Sequence, residues 1–196
     1  MSGFYYHSLD ARPTFYRDVI AGPAPVFGYP RHDRINQIGG TFAKDLGRMM
    51  FKGETVYSIG RQFNVTNINQ PNGLVRQNNI YYALRFDFSL PADTRLNLQF
   101  FQRVATNYSP HTLADKYESG VSVRIDGKLG KKVEARALVA RSLNRSDRMF
   151  RPKGTWVFEK NWRLAAGVDI FSGPPMGLFG RYDNNDRFYS ELRYTF

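Results

Sequence analysis

The chain has 196 residues, enough for one domain with a sizeable core, and no cysteine, which excludes a disulfide framework and any cysteine-based metal site. Its net charge is +11, and 15% of its residues are aromatic, with 16 Phe and 12 Tyr. No run approaches the ~20 apolar residues of a membrane helix. The basic residues stand singly along the chain rather than clustered in a tail or helix, which argues against a nucleic-acid partner.

The elements read as strands. Residues 3–9 form a short first strand, followed by a long connection over 10–32. Residues 34–44 and 50–63 make an irregular pair around the turn Asp45-Leu46-Gly47-Arg48. A second long connection spans 64–78. The strand over 81–90 is the clearest: Ile80, Tyr82, Leu84, Phe86, Phe88 and Leu90 share one parity, and Tyr81, Ala83, Arg85, Asp87 and Ser89 the other. Pro91-Ala92-Asp93-Thr94 reads as a tight turn with Pro presetting its φ. The chain returns over 95–104 with Leu96, Leu98 and Phe100 opposite Asn97, Gln99, Phe101 and Arg103.

The next strands repeat this pattern. Residues 116–129 set Tyr117, Val121, Val123, Ile125 and Leu129 against Glu118, Ser122, Arg124, Asp126 and Lys128. A turn at Gly130-Lys131-Lys132 leads to 133–140, with Val133, Ala135, Ala137 and Val139 opposite Glu134, Arg136, Leu138 and Ala140. Residues 150–158 and 162–171 form the following pair around Glu159-Lys160-Asn161. The last strand, 187–196, alternates Phe188, Leu192, Tyr194 and Phe196 with Arg187, Glu191, Arg193 and Thr195.

This makes about ten meandering strands, each near the ~9–11 residues that cross a tilted bilayer path. Short turns fall near 46, 92, 130 and 160, and long connections span 10–32, 64–78, 105–115, 141–149 and 172–186. Short turns alternating with long loops are a property of transmembrane barrels. The expected class is therefore all-β: an antiparallel transmembrane β-barrel in one region, 1–196. Met1-Ser2-Gly3-Phe4 lacks the basic and apolar regions of a signal peptide, so the expectation is the C-terminal part of a larger barrel. Trp162, Tyr194 and Phe196 are expected at the periplasmic aromatic girdle. Phe188, Leu192, Tyr194 and Phe196 look like the terminal signal by which outer-membrane barrels are recognised by the assembly machinery.

Arg31-His32-Asp33-Arg34, Gly39-Gly40-Thr41-Phe42-Ala43-Lys44, Gly73-Leu74-Val75-Arg76-Gln77, residues 90–103 (LPADTRLNLQFFQR), 158–164 (FEKNWRL) and 173–183 (GPPMGLFGRYD) resemble the C-terminal part of a proteobacterial outer-membrane family catalogued as a domain of unknown function. The resemblance is specific over the last two thirds of the chain and loose before residue 30. It implies a larger barrel in the bacterial outer membrane. It also implies work beside inner-membrane efflux-type permeases of the RND class, moving lipidic or other small molecules. It carries no catalytic residues.

The chemistry of the chain points the same way. His7, His32 and His111 stand in no metal spacing, and His7 beside Ser8 lies in too short and irregular a context for a barrel lipase pair, so neither a cofactor nor an enzyme is expected. Asp183-Asn184-Asn185-Asp186 lacks the EF-hand pattern and reads as a turn. The apolar loop 173–180 is expected either to pack on a neighbouring loop or to fold inward as a plug. The non-lipid parity carries charges of both signs, which brace a barrel wall across strands or, through their basic excess, favour anions. Arg85, Arg103, Arg124, Arg136 and Arg163 form the expected basic ladder of the lumen. Outer-membrane lipid and lipopolysaccharide are the expected partners. The alternatives are a non-conducting barrel that binds lipopolysaccharide, lipid or a transport partner, and a soluble β protein with a basic ligand groove.

Overall fold

A computed structural model describes residues 1–18, 27–67 and 70–196. Among them the chain is nearly all strand and contains no α-helix. The strands are β1 (Ser2–Leu9), β2 (Thr14–Asp18), β3 (Phe27–Arg31), β4 (Arg34–Asp45), β5 (Met49–Asn64), β6 (Leu74–Leu90), β7 (Thr94–Ala105), β8 (Tyr117–Leu129), β9 (Val133–Ser142), β10 (Arg148–Val157), β11 (Trp162–Ser172) and β12 (Arg187–Tyr194). Ten of them make one antiparallel sheet in the order β1-β4-β5-β6-β7-β8-β9-β10-β11-β12, and β2 pairs with β3 as a separate hairpin. The fold is all-β and antiparallel. The sheet is not closed: β1 and β12 are its two ends.

The alternation of the sequence sets which face each side chain takes. Val123, Ile125 and Leu129 of β8, Leu164 and Ile170 of β11, and Phe188 and Leu192 of β12 are exposed. The opposite parity supplies much of the buried set, and the largest buried side chains are polar. The largest fully buried side chains among the described residues are Gln77, Asn79, Asp147, Asp169 and Ser58. A water-soluble sheet hides its apolar parity, because burying apolar area is its main stabilisation. This sheet does the reverse.

Three details correct the reading of the chain. The connection over 10–32 contains the β2–β3 hairpin, whose five-residue strands are too short to show a period. The connection over 64–78 is shorter than expected, because β6 begins at Leu74. Its early residues Gln77 and Asn79 are buried polar groups, so they read as loop. At the β6–β7 turn, Pro91 precedes the tight pair instead of shaping it. Ala92 (φ 58°) and Asp93 (φ 53°) adopt the left-handed conformation of a two-residue hairpin turn whose hand matches the strand twist.

Contacts group the described residues into two compact units. The first comprises Met1–Phe42, Glu54–Tyr82 and Gln102–Glu118. It holds the β1–β4 pairing, with Phe4 opposite Gly39, and the β2–β3 hairpin. Its polar interior is built on two arginines. Arg61 makes a two-point ion pair with Asp10, at 2.6 and 2.9 Å, and donates to the Tyr81 hydroxyl at 2.6 Å. Arg103 pairs with Glu118 at 3.1 Å and donates to the Asp115 carbonyl at 2.9 Å. The second unit comprises Ala43–Gly53, Ala83–Phe101 and Ser119–Phe196. It carries the site described next.

Candidate functional site

The charged parity of the second unit is organised around four acidic side chains, each held between two cations. Asp87 on β6 lies 2.9 Å from Lys52 of β5 and 2.9 Å from Arg85. It also accepts from Asn97 of β7. Asp126 on β8 pairs with Arg124 at 2.8 Å and with its cross-strand partner Arg136 of β9. Asp169 on β11 holds Arg151 of β10 and Arg187 of β12, each at 2.6 Å. Glu191 on β12 takes Arg193 at 2.5 Å and Lys153 of β10 at 3.6 Å. Lys153 and Glu191 meet diagonally across β11, where their partners are the small Gly167 and the buried Ala165. Each cluster is two bases around one acid, so each leaves one positive charge. The arrangement is a consequence of register: antiparallel partners of equal parity point to one face, and long Arg and Lys stems reach one strand further.

These clusters surround two cavities. The first, about 620 Å³, lies towards the short turns and is lined by residues from Ser89 to Arg193. Seven basic and four acidic side chains face it, among them Arg124, Arg136, Lys153, Arg163 and Arg193. The second, about 760 Å³, lies towards the long connections. It is lined by Arg85, Arg124, Arg151 and Arg187, with no carboxylate, and otherwise by a largely apolar wall that includes Phe101, Leu138, Met149 and Phe171. Arg124 borders both cavities.

Loop 173–186 completes the second cavity. Leu178, Phe179, Tyr182 and Asn185 from this loop face it. The loop is anchored on the neighbouring β9–β10 connection through Asp147. That carboxylate is fully buried and accepts the backbone N–H of Phe179 at 2.6 Å and of Gly180 at 3.4 Å. Gly177 lies so close that a Cβ there would stand 2.6 Å from the Asp147 carboxylate. Arg145 of the same connection donates to the Met176 carbonyl at 2.5 Å. The loop therefore packs on a neighbouring loop, one of the two arrangements expected of it, and four of its residues also line the second cavity. Asp183 and Asn185 donate their N–H groups to the Gly180 and Tyr182 carbonyls in the expected turn, while Asp183 and Asp186 accept the N–H groups of Gly173 and Phe171.

Four of the five ladder arginines come together here. Arg85 lines the second cavity, Arg124 both, and Arg136 and Arg163 the first. Arg85, Arg124 and Arg136 are ion-paired, while Arg163 has no ion pair among the described residues. Arg103 stands apart from the four, buried in the first unit against Glu118, with a hydrogen-bonding contact to Asn79 at 3.4 Å. Sequence reasoning did not find Asp147. Its partners are backbone N–H groups more than thirty residues away, which leave no mark on the local pattern. Phe101 was placed on the charged parity without a role; it lies over Gly120 of β8, where a Cβ would come 2.3 Å from its ring.

On the opposite face the terminal strand joins an aromatic row. The ring pairs Trp156–Phe158, Phe158–Trp162, Trp162–Tyr194 and Tyr194–Phe196 have centroids 5.2, 6.3, 4.8 and 6.1 Å apart. Phe188 and Leu192 extend the exposed apolar parity of β12, while Phe196 lies just beyond the strand. This row borders the short turn between β10 and β11.

No protein-family model, curated protein or solved structure matches this chain.

Proposed function

We propose that this chain is the wall of a bacterial outer-membrane β-barrel, acting as a passive channel or envelope-transport component with a basic lumen. One observation carries the reading. The apolar parity of the sheet is exposed while the charged parity surrounds cavities. An extended apolar face is unfavourable in water and favourable against lipid. The aromatic row beside a short turn suits the membrane–water interface, where amphipathic rings are favoured. Lipid tolerates no unpaired strand edge, so β1 and β12 must be paired in the membrane, with each other or with further strands. Phe188, Leu192, Tyr194 and Phe196 then serve the assembly machinery. Lipid A phosphates suit the positive charge of the chain. The resemblance to the outer-membrane family adds an efflux-type permease as a partner.

The test is reconstitution in planar bilayers. Heat-modifiable gel mobility reports insertion, and the reversal potential in a salt gradient reports selectivity. The reading expects conduction with a preference for anions. Arg163→Glu should reverse or abolish that preference, because Arg163 lines the first cavity and makes no ion pair among the described residues. Conduction with unchanged selectivity in that variant would remove the basic lumen from the proposal. A second reading, a barrel that binds without conducting, is favoured by the loop 173–186 placed over the second cavity. Heat-modifiable mobility with no conductance would select it.

A further inference from the structure

We propose that the second cavity is a binding chamber for a single-chain amphipathic anion, an alkyl carboxylate or alkyl phosphate. The inference deepens the reading above and rests on the charged parity being the interior of a membrane barrel.

The chamber combines two chemistries that no simpler solute satisfies. Its charged side chains are Arg85, Arg124, Arg151 and Arg187, and no acid lines it. The acids that pair with these arginines do not line it. Asp169 is 1% exposed and is covered by Arg151 and Arg187. A guanidinium carries five N–H donors in a rigid fork, and an ion pair through Nε leaves others free for a second anion. The remaining wall is largely apolar, with Leu138, Met149 and Phe171 from the strands and Leu178 and Phe179 from the loop, and Asn97, Gln99, Ser122, Tyr182 and Asn185 add hydrogen-bonding groups beside the arginines. A hydrated inorganic anion gains nothing from the apolar part of that wall. An alkyl chain with an anionic head uses both parts. At about 760 Å³ the chamber falls within the ~300–1,000 Å³ of small-molecule sites. Its loop side is a built feature, because Asp147 holds Phe179 and Gly180 by their backbone.

The test uses the full chain refolded into phosphatidylcholine liposomes with a photoreactive, diazirine-bearing alkyl carboxylate. Labelled residues are mapped by mass spectrometry. We expect labelling at Met149 and within 176–182. Dodecanoate and dodecyl phosphate should compete; dodecyltrimethylammonium and acetate should not. The double variant Arg85→Gln, Arg124→Gln should cut chamber labelling by about tenfold or more, as expected for lost hydrogen bonds to a charged group. It leaves Asp87 its Lys52 and Asp126 its Arg136. Leu178→Gln, on the loop, should weaken labelling with heat-modifiable mobility unchanged. Labelling confined to the lipid-facing Val123 and Leu129, or equal competition by the cationic amphiphile, would overturn the chamber. Anion-selective conduction without chamber labelling would sink this inference and leave the channel reading standing. Chamber labelling without conduction would do the reverse.

Discussion

Asp169 and Arg187 are direct cross-strand partners on β11 and β12, with the Arg187 Nε 2.6 Å from one Asp169 carboxylate oxygen. Arg151 reaches the other oxygen from β10 at the same distance. One acid therefore ties three adjacent strands together on the charged face. Its carboxylate is almost wholly buried while both arginines keep part of their surface exposed. The stabilisation lies mostly in keeping the buried carboxylate paired with opposite charge, not in the attraction of exposed charges.

Asp169→Ala leaves two guanidiniums facing each other with no acid between them. We expect a loss of about 1–3 kcal/mol, read as a lower urea midpoint for loss of the heat-modifiable band. Asp169→Asn should fall in the same direction, since an amide removes the charge that both arginines share. Wild-type stability in both variants would remove this cluster from the list of structural braces.

Gly120 and Phe101 make a packing prediction. A Cβ at Gly120 would stand 2.3 Å from the Phe101 ring, well inside contact distance. Gly120→Ala should destabilise by about 1–3 kcal/mol through overpacking. Adding Phe101→Leu should recover part of that loss, because the obstruction is a side chain and not backbone. A double-mutant cycle on unfolding in liposomes measures the coupling; additive losses would contradict the contact.

The anchor of loop 173–186 is testable by proteolysis. Asp147→Ala removes a carboxylate that accepts two backbone N–H groups. Bonds to a charged acceptor contribute about 1.5–3 kcal/mol each. Tryptic cleavage after Arg181 should therefore accelerate by at least about tenfold, while heat-modifiable mobility stays as in the parent chain. Unchanged cleavage would show that the loop is held by other contacts.

The β2–β3 hairpin carries an alkaline response. Tyr16 donates to Asp33 at 2.5 Å, and its hydroxyl is raised above the usual phenol range, first by that hydrogen bond and then by burial. A raised folded pKa stabilises the protonated form. Its contribution is fully present below the ordinary phenol range and is lost as pH climbs through the raised value. Hydrogen exchange at β2 and β3 should accelerate over that alkaline interval. In Tyr16→Phe the exchange should be fast at neutral pH too, and the extra alkaline step should vanish.

Much of the fold was legible because a sheet between two unlike environments writes a period of two along its sequence. The ten strands of the main sheet were read in order, and the parity of β7, β8, β9 and β11 matches the observed faces. Legibility failed where the period fails. The β2–β3 strands are five residues each, and the start of β6 is marked by Gln77 and Asn79, whose buried amides look like a polar loop.

Parity alone determined that Arg85, Arg124, Arg136 and Arg163 share a face, since alternation is local. It also separated the exposed apolar set from the charged one. Whether those arginines stand free or paired was decided by register, which sets Arg136 opposite Asp126 and Arg187 opposite Asp169. The removal of Arg103 from that group was likewise a tertiary outcome, because Glu118 and Asn79 draw it into the other unit. So was the second cavity, whose loop side depends on Asp147 meeting the N–H groups of Phe179 and Gly180. The physical reason is common to all three. Alternation follows from the backbone geometry of one strand, but ion pairs, buried carboxylates and cavity walls require side chains from distant segments to arrive at one place.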